Sequence, residues 1–362
     1  AVWIPFEPIL QIISVIGTLG LSALTVFLAS SPALIFNENY FFGACVVSFS
    51  FLIVVNMWVF GSWRIQVLQL GFVEDVRIRL VQPNIPQNIK WENTLRLQHL
   101  LKLSRLSQQV SSSEVEPTLV IWPETAVPYV LPSSKKIMNI LAASVPQGGL
   151  IITGAARRQE LTKKMWNSIF AINSAGQMIA VYDKHHLVPF GEYVPFRSWL
   201  PFKKLVQERG DFSTGVGPRT ILIPGLPPVM PLICFEAIFS GIVKDTITRP
   251  EWFLNVTNDA WFGNTAGPWQ HLAAARLRTI EEGIPMVRVA NTGISSVINS
   301  LGQIVASAPL DTEMVIDARL PKSLEFKTIF AQTNALSPFA FITCLFAISA
   351  LITRLKKVIL TK

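Results

Sequence analysis

The chain has 362 residues, of which 50% are hydrophobic and only 15% are charged, and its mean hydropathy is +0.43. Soluble domains usually carry about 25% charged residues, so this composition excludes a disordered chain and argues against a purely soluble protein. The formal net charge is +8. This mild excess suits a surface near anionic lipid headgroups, and no nucleic-acid partner is expected because the sequence has no basic run, zinc motif or stacking repeat.

Three long uncharged stretches indicate membrane helices. There are 30 uncharged residues between Glu7 and Glu38, 25 between Glu38 and Arg64, and 26 between Lys327 and Arg354. A helix needs about 20 apolar residues to cross the hydrocarbon layer of a membrane. The alternative is a set of buried core helices, which rarely contain such long uncharged runs. The sequence therefore predicts membrane helices near Ile9–Ser30, Phe41–Ser62 and Leu336–Thr353.

These stretches divide the chain into three parts. Residues 1–63 are predicted to form two transmembrane helices, residues 64–327 a water-facing catalytic domain, and residues 328–362 a C-terminal transmembrane helix with a basic tail. The positive-inside rule places that tail, which contains Arg354, Lys356, Lys357 and Lys362, in the cytoplasm. The central domain would then lie on the periplasmic side of a bacterial inner membrane. The sequence shows no signal peptide. Since the chain starts at Ala1 without an initiator Met, we expect it to be a fragment of a longer protein.

The central domain has the pattern of an α/β fold. Helices are predicted over Trp91–Val110 and Gln270–Glu282, where apolar residues recur at helical spacing. Periodicity alone leaves open a doubly wound sheet or a two-sheet sandwich. Short runs rich in Val and Ile predict strands at Val76–Val81, Thr118–Trp122, Leu150–Thr153, Ser168–Ile172, Met178–Tyr182, Thr220–Ile223, Pro231–Cys234, Trp252–Thr257, Met286–Ala290, Ser296–Ile298 and Met314–Ile316.

Three of these strands end at residues that can carry chemistry. Glu124 follows an apolar strand and Pro123, which stops the strand ladder, so its carboxylate emerges at a strand end and could move protons. The alternative is a solvated loop acid. Lys184 follows the strand at Met178–Tyr182 and could hold an ammonium group near a reacting oxygen.

The pair His185–His186, which comes next, raises the possibility of a metal site. Neighbouring residues on a strand point to opposite faces, and no third His or Cys accompanies them at ligand spacing. The sequence therefore predicts no metal here.

Cys234 is the only cysteine of the central domain, so a disulfide within that domain is impossible. It lies between an apolar strand and an apparent helix start. Free backbone N–H groups at such a turn favour a thiolate and can hold an oxyanion, so Cys234 is a candidate nucleophile. The alternative is a buried structural cysteine.

The order Glu124, Lys184, Cys234 resembles the nitrilase superfamily, whose catalytic triad is Glu-Lys-Cys. The flanking segments are most similar to the bacterial apolipoprotein N-acyltransferase family, and the similarity covers nearly the whole chain. The segments that carry it are Val81–Gln87 with Lys90–Trp91, Ile121–Pro128, Lys184–Pro195, Ile233–Glu236, Asn258–Gly263, Pro268–His271 and Ala275–Arg278.

This resemblance implies a nitrilase-like αββα four-layer sandwich with flanking transmembrane helices, and no cofactor. It implies an enzyme that transfers an acyl chain from a phospholipid, through a cysteine thioester, to the α-amino group of the N-terminal diacylglyceryl-cysteine of apolipoproteins. By motif match, the implied roles are Cys234 as nucleophile, Glu124 as general base, Lys184 as electrostatic stabiliser, Glu192 and Glu236 as further acids of the site, and Trp91 in substrate handling.

The chain departs from the family pattern at two points. Phe235 stands where members usually have Tyr, so a hydroxyl contact is lost while the backbone N–H that could hold an oxyanion remains. Members also usually carry several more membrane helices before the position of Ala1. Two other functions stay open: a membrane-tethered nitrilase-like amidase or hydrolase, and a catalytically dead lipid-binding membrane module.

The stretch Leu187–Val206 combines aromatic with basic side chains, a pattern typical of a membrane interface. We expect it to lie against the bilayer and admit acyl chains. The alternative is ordinary loop packing. The residues on which this expectation rests are Phe190, Tyr193, Phe196, Arg197, Trp199, Phe202, Lys203 and Lys204.

Overall fold

The computed structural model describes residues 2–36, 40–110, 116–195, 211–243, 247–333 and 336–360. A 3₁₀ segment at Ser31–Phe36 follows the second of the α-helices. The described residues form eight α-helices: α1 (Glu7–Leu10), α2 (Ile13–Ser30), α3 (Tyr40–Val67), α4 (Arg96–Ser107), α5 (Lys135–Ala143), α6 (Gly267–Glu282), α7 (Ile329–Gln332) and α8 (Ser337–Leu360).

The first β-sheet is mixed and has seven strands. It runs β12-β1-β2-β4-β5-β6, with β3 paired to β4; β1 pairs parallel to β2 and antiparallel to β12. The crossover between the parallel strands β1 and β2 contains α4. The strands are β1 (Phe72–Gln82), β2 (Leu119–Ile121), β3 (Val127–Leu131), β4 (Leu150–Arg158), β5 (Met165–Asn173), β6 (Met178–Asp183) and β12 (Met314–Pro321).

The second sheet has five strands in the order β11-β10-β9-β8-β7. Strands β7, β8 and β9 are parallel, whereas β10 pairs antiparallel to β9 and to β11. The parallel strands are buried on both faces, which explains their continuous apolar runs. The strands are β7 (Val229–Ile233), β8 (Trp252–Thr257), β9 (Met286–Ala290), β10 (Ser296–Ile298) and β11 (Ile304–Ser307).

The two sheets pack face to face and each carries helices on its outer face. One apolar cluster joins the inner faces, with Leu80 and Ile152 of the first sheet against Val256 of the second. Leu103 of α4 belongs to the cluster on the outer face of the first sheet, and Leu272 of α6 to that on the second. The central domain therefore has the αββα four-layer sandwich fold that the resemblance implied.

The N-terminal helices pack against the outer helix layer of this sandwich. Ile9 and Ile13 form one buried cluster with Leu277 and Ile280 of α6. The segments Ile13–Phe36 and Tyr40–Val67 are long and apolar enough to cross a membrane. They and α8 lie where the sequence predicted membrane helices.

The sequence was wrong about one strand and missed four elements. Thr220–Ile223 is not a strand: Ile221 makes only an isolated bridge to Val229. Pro218 and Pro224 flank this run, and proline donates no hydrogen bond to a strand ladder. Strands β3 and β11 and helices α5 and α7 were not predicted.

Candidate active site

Glu124 lies just beyond β2 and is buried, with only 6% of its surface exposed. The chain turns sharply here, since the next residue, Thr125, has a φ of 48°. Strand β4 passes close to this turn at Gly154, where a Cβ atom would lie 2.4 Å from the backbone nitrogen of Thr125 and 2.7 Å from Cα of Glu124. A glycine is therefore required for the approach that fixes Glu124.

Lys184 follows β6 and binds two carboxylates. Its Nζ lies 3.4 Å from Oε1 of Glu124 and 2.9 Å from Oε2 of Glu192. Nδ2 of Asn167 donates to Oε1 of both acids, at 2.7 Å and 2.9 Å respectively. Asn167 was not singled out from the sequence; it lies within β5 and carries no local signal, because only sheet pairing brings it beside Lys184.

The charge of Lys184 is maintained by its neighbours. Burial alone would lower the pKa of Lys184, but the carboxylates of Glu124 and Glu192 outweigh it and hold that pKa above its ordinary value. Oε2 of Glu124 is buried and accepts no hydrogen bond from the residues that the structure describes. The site thus contains a fixed ammonium group and one unused carboxylate oxygen.

Cys234 follows β7 and starts a 3₁₀ turn, Cys234–Ile238, rather than the α-helix that the sequence suggested. Its φ of 50° is unfavourable for a residue with a side chain, and such strain persists only where the surroundings enforce it. Glu124 and Lys184 are near enough for their charges to shift the thiol pKa. The structure therefore brings Glu124, Lys184 and Cys234 together.

The surroundings of Cys234 shift its pKa in the direction opposite to that expected from the backbone N–H groups of the turn. Burial, and then the negative charge of Glu124, raise the pKa of Cys234 to about 12, although Lys184 lowers it. The resting group is a neutral thiol, because desolvation outweighs the stabilisation that backbone N–H groups give. A nucleophile in this state needs a base at the moment of attack.

Glu236 is fully buried and faces the backbone rather than the thiol. Its Oε1 accepts from the backbone N–H groups of His185, at 2.8 Å, and of His186, at 3.1 Å, and from the hydroxyl of Tyr182 at 3.0 Å. Its Oε2 accepts from the N–H of Ile233 at 2.7 Å. Burial raises the pKa of Glu236, while these backbone hydrogen bonds oppose the rise. This side chain ties the Lys184 loop to the Cys234 turn.

A second buried polar group supports Cys234 from helix α6. Nε2 of His271 lies 3.1 Å from the backbone oxygen of Cys234, and Nδ1 lies 2.8 Å from Oδ1 of Asp259. Arg288 donates to Oδ2 of Asp259 at 2.6 Å. Burial would raise the pKa of Asp259, but Arg288 and His271 lower it to about 2. Asp259 and His271 lie in segments that carried the family resemblance, yet no role was assigned to them from the sequence.

Cys234, Asp259 and His271 form a group whose donor atoms could surround a metal, since one such atom of each lies within 4.8 Å of the others. Both ring nitrogens of His271 and both oxygens of Asp259 already contact protein partners. Because these donor atoms already have protein partners, we interpret His271 and Asp259 as residues that hold Cys234 in place rather than as metal ligands. In the His185–His186 pair, the backbone N–H groups bind Glu236.

The remaining predicted residues lie at the edges of the site. Nζ of Lys90 donates to the backbone oxygen of Glu124 at 3.2 Å and lies 5.5 Å from the ring centre of Trp91. Trp91 is half-buried. Phe235 is half-buried too, and its ring meets that of Phe239 edge-on at 5.1 Å between ring centres.

Known proteins are similar to this chain in sequence or in fold. A family model described as carbon-nitrogen hydrolase matches residues 77–326. The apolipoprotein N-acyltransferase of Bradyrhizobium diazoefficiens is 37% identical, over 97% of this chain and 67% of that protein. The chain belongs to the apolipoprotein N-acyltransferase family. The acyltransferase of Rhodopseudomonas palustris is 40% identical, over 91% of this chain and 64% of that protein.

The chain spans about two thirds of the length of these acyltransferase relatives. Two solved structures are similar in fold alone. A nitrilase-superfamily member of Saccharomyces cerevisiae, Nit3, has a TM-score of 0.52 at 19% identity, over 72% of this chain and 94% of that one. An amidase from Nesterenkonia sp. has a TM-score of 0.51 at 16% identity, with the same coverage of 72% and 94%.

The aromatic and basic segment is described only in part. Residues 196–210 lie outside the described structure, and with them Phe196, Arg197, Trp199, Phe202, Lys203 and Lys204. Phe190 is 39% exposed, and Tyr193 is half-buried. The role of this segment at a membrane stays a prediction.

Proposed function

We propose that the chain carries out acyl transfer from a phospholipid to the α-amino group of the N-terminal diacylglyceryl-cysteine of an apolipoprotein. The observation that carries this proposal is the buried group of Glu124, Lys184 and Cys234 in a domain packed directly against apolar helices. The names of the relatives support the acceptor and the reaction class.

In the first half-reaction, Oε2 of Glu124 accepts the thiol proton while Sγ of Cys234 attacks the ester carbonyl carbon of the phospholipid. Lys184 and the backbone N–H of Phe235 stabilise the negative charge that develops on the carbonyl oxygen. The carbon–oxygen ester bond then breaks, and Glu124 gives its proton to the leaving alkoxide. Lysophospholipid departs and the acyl group remains on Cys234 as a thioester.

In the second half-reaction, the α-amine of the lipoprotein cysteine attacks the thioester carbonyl carbon. Glu124 accepts a proton from the amine, and the same two donors hold the oxyanion. The carbon–sulfur bond breaks, Glu124 returns the proton to the sulfur of Cys234, and the amide product leaves. Atoms and charge balance over the cycle, which requires no cofactor.

A transferase must keep water from the thioester, since hydrolysis would compete with the amine. Cys234 is 9% exposed, Glu124 6% and Lys184 1%. This burial supports transfer over hydrolysis. We further propose that Glu192 keeps Lys184 charged and oriented, that Glu236 fixes the turn of the nucleophile, and that Trp91 contacts substrate.

We also propose the location of the protein. Helices α2, α3 and α8 would cross the bacterial inner membrane, and the sandwich would face the periplasm. The support is the apolar length of the segments Ile13–Phe36 and Tyr40–Val67, together with the basic residues that follow α8 in the sequence. Residues 1–63 and 328–362 would then be the membrane parts on either side of the catalytic domain.

A competition experiment separates transfer from hydrolysis. The full chain in detergent receives a phospholipid with a labelled acyl chain and a diacylated lipopeptide with a free α-amine. We expect label on the lipopeptide amine; label found only as free fatty acid would instead support a membrane-tethered hydrolase. Intact mass measured without acceptor tests the inactive lipid-binding alternative, because one acyl group on Cys234 requires a working nucleophile.

A further inference from the structure

Helix α2 is broken beside the catalytic domain. Gly17 has φ 66° and ψ 174°, which are not helical values, so the helical path starts again at Thr18. A Cβ atom at Gly17 would also lie 2.6 Å from the ring of Phe330. The break leaves the N–H of Thr18 pointing out of the helix, at the positive end of the following segment.

A carboxylate of helix α6 binds this break. Oε1 of Glu281 accepts from the backbone N–H of Thr18 at 2.7 Å and from its hydroxyl at 2.6 Å. Glu281 is fully buried, and Nε of Arg278 lies 3.1 Å from its Oε2 as an ion pair. Nη2 of Arg278 donates to the hydroxyl oxygen of Thr18 at 2.6 Å.

The same two side chains hold the segment that follows the nucleophile. Nη1 of Arg278 donates to the backbone oxygen of Ile238, the last residue of the Cys234–Ile238 turn, at 3.1 Å. The hydroxyl of Ser240 lies 3.0 Å from each carboxylate oxygen of Glu281. Since His271 contacts the backbone oxygen of Cys234, helix α6 holds both ends of this turn.

We propose that Arg278 and Glu281 are positioning residues through which Thr18 of the proposed membrane helix fixes the Cys234 turn for reaction. Cys234 has a strained φ of 50°, so the turn depends on outside contacts to keep its conformation. Displacement of a reacting group by about 1 Å can cost on the order of 100-fold in rate. The proposal rests on the proposed acyl transfer for its effect on rate, but its effect on the thiol can be measured separately.

The test compares Glu281→Gln and Thr18→Val in the full chain, with Cys45 and Cys344 replaced by Ala so that Cys234 is the only thiol. Two rates are measured by intact mass: thioester formation from phospholipid, and alkylation of Cys234 by iodoacetamide. We expect thioester formation to fall roughly 10- to 100-fold with the KM for phospholipid within about twofold. Alkylation should rise at least about threefold, because a loosened turn exposes the buried thiol.

Two controls separate positioning from general destabilisation. Ser22→Ala removes an exposed hydroxyl bonded to the backbone oxygen of Thr18 and should leave both rates unchanged. Leu103→Ala removes a buried side chain of α4 in the opposite outer layer and lowers stability without contact to the turn. The proposal is overturned if Glu281→Gln and Thr18→Val change the two rates no more than Leu103→Ala does.

The two measurements also distinguish this proposal from the proposed function. If the parent chain forms no thioester while Glu281→Gln still speeds alkylation, acyl transfer from phospholipid fails and the positioning role stands. If the parent forms the thioester but both variants match it in both rates, the positioning role fails alone. Thr18→Ser, which keeps the hydroxyl, should restore both rates to those of the parent chain.

Discussion

Nε2 of His271 lies 3.1 Å from the backbone oxygen of Cys234, so a side chain of helix α6 contacts the main chain of the proposed nucleophile itself. Through Asp259, which follows β8, and Arg288 of β9, this contact extends to the second sheet. The backbone of Cys234 is thus held from the outer helix layer, whereas Glu124 and Lys184, whose charges act on the thiol, come from the first sheet.

We predict that His271→Ala slows thioester formation by roughly 10- to 100-fold, because the turn at Cys234 loses a fixed contact. The buried carboxylate of Asp259 also loses a partner, which should cost about 1–3 kcal/mol of stability. Single-turnover rates and thermal unfolding of the detergent-solubilised chain measure the two effects. A rate equal to that of a variant of matched stability, such as Leu103→Ala, would contradict the role of His271.

Lys184→Ala should abolish the thioester on Cys234, with a loss of at least about 100-fold, because the developing oxyanion loses its cation. The change also leaves Glu124 and Glu192 facing each other without a counter-charge. Intact mass after incubation with phospholipid measures the adduct. Lys102→Ala, which removes a more exposed ion pair with Glu313 on the outer layer, should retain the adduct.

The alkylation rate of Cys234 should keep rising with pH to at least about pH 10. Its pKa of about 12 means that the thiolate fraction grows about tenfold for each pH unit below that value. A thiol of ordinary pKa, about 8.5, would instead level off as the pH approaches about 10. Iodoacetamide kinetics on a chain lacking Cys45 and Cys344 measure this profile. A rate that levels off before about pH 10 would show that the pKa of Cys234 is not raised.

Glu124→Gln should separate two properties of the thiol. Removal of the negative charge lowers the pKa of Cys234, since Glu124 is one of the groups that raise it, so alkylation at pH 8 should become faster. Acyl transfer should nevertheless be lost, because the general base is gone. If alkylation and acylation change in the same direction, Glu124 does not act as the base.

Gly154→Ala should reduce acylation strongly, because the new Cβ atom would lie 2.7 Å from Cα of Glu124 and displace that residue. Gly71→Ala is the matched control, because a Cβ atom there would lie 3.6 Å from a side-chain carbon of Lys322, an ordinary contact distance. Rates of thioester formation for the two variants give the comparison. Equal rates would mean that the approach of β4 does not position Glu124.

Stability should fall as the pH rises from about 4.5 to about 7, through the titration of Glu282. Burial, and then the charge of Glu281, raise the pKa of Glu282 from 4.5 to about 7. In this window the unfolded chain releases the proton first, so up to roughly 3 kcal/mol of stability is lost by pH 8. Thermal unfolding of Glu282→Gln should show a smaller drop between pH 5 and pH 8, whereas Glu313→Gln should behave like the parent chain.

Strand ends were the most informative feature of the sequence. Apolar runs that stop at Glu124, Lys184 and Cys234 marked these residues as candidates. Only the family resemblance implied that they share one site, because β2 and β6 are not neighbours and β7 lies in the other sheet. The charge state of the thiol was not predictable, since burial and the distance to Glu124 are properties of the packed sheets. Asn167 was missed for the same reason: only the pairing of β5 brings it to both carboxylates.

The short elements show a second limit of sequence patterns. Strand β11 has four residues and is mostly exposed, so its hydrophobic pattern is weak. Conversely, Thr220–Ile223 has the composition of a strand, but its flanking prolines leave it with a single bridge. The contact between Thr18 and Glu281 joins residues 263 positions apart, and the local sequence around neither residue predicts it.

The division of the site between the two sheets has a consequence for how the protein folds. Glu124 and Lys184 are carried by one sheet and Cys234 by the other, so neither half alone assembles the reactive centre. Until the two sheets pack together, the thiol of Cys234 should therefore have an ordinary pKa. Its reaction with small electrophiles should become slower once the sheets have packed, so this reaction measures the completion of folding. The thiol of Cys234 can thus be used as a probe of the packing of the two sheets.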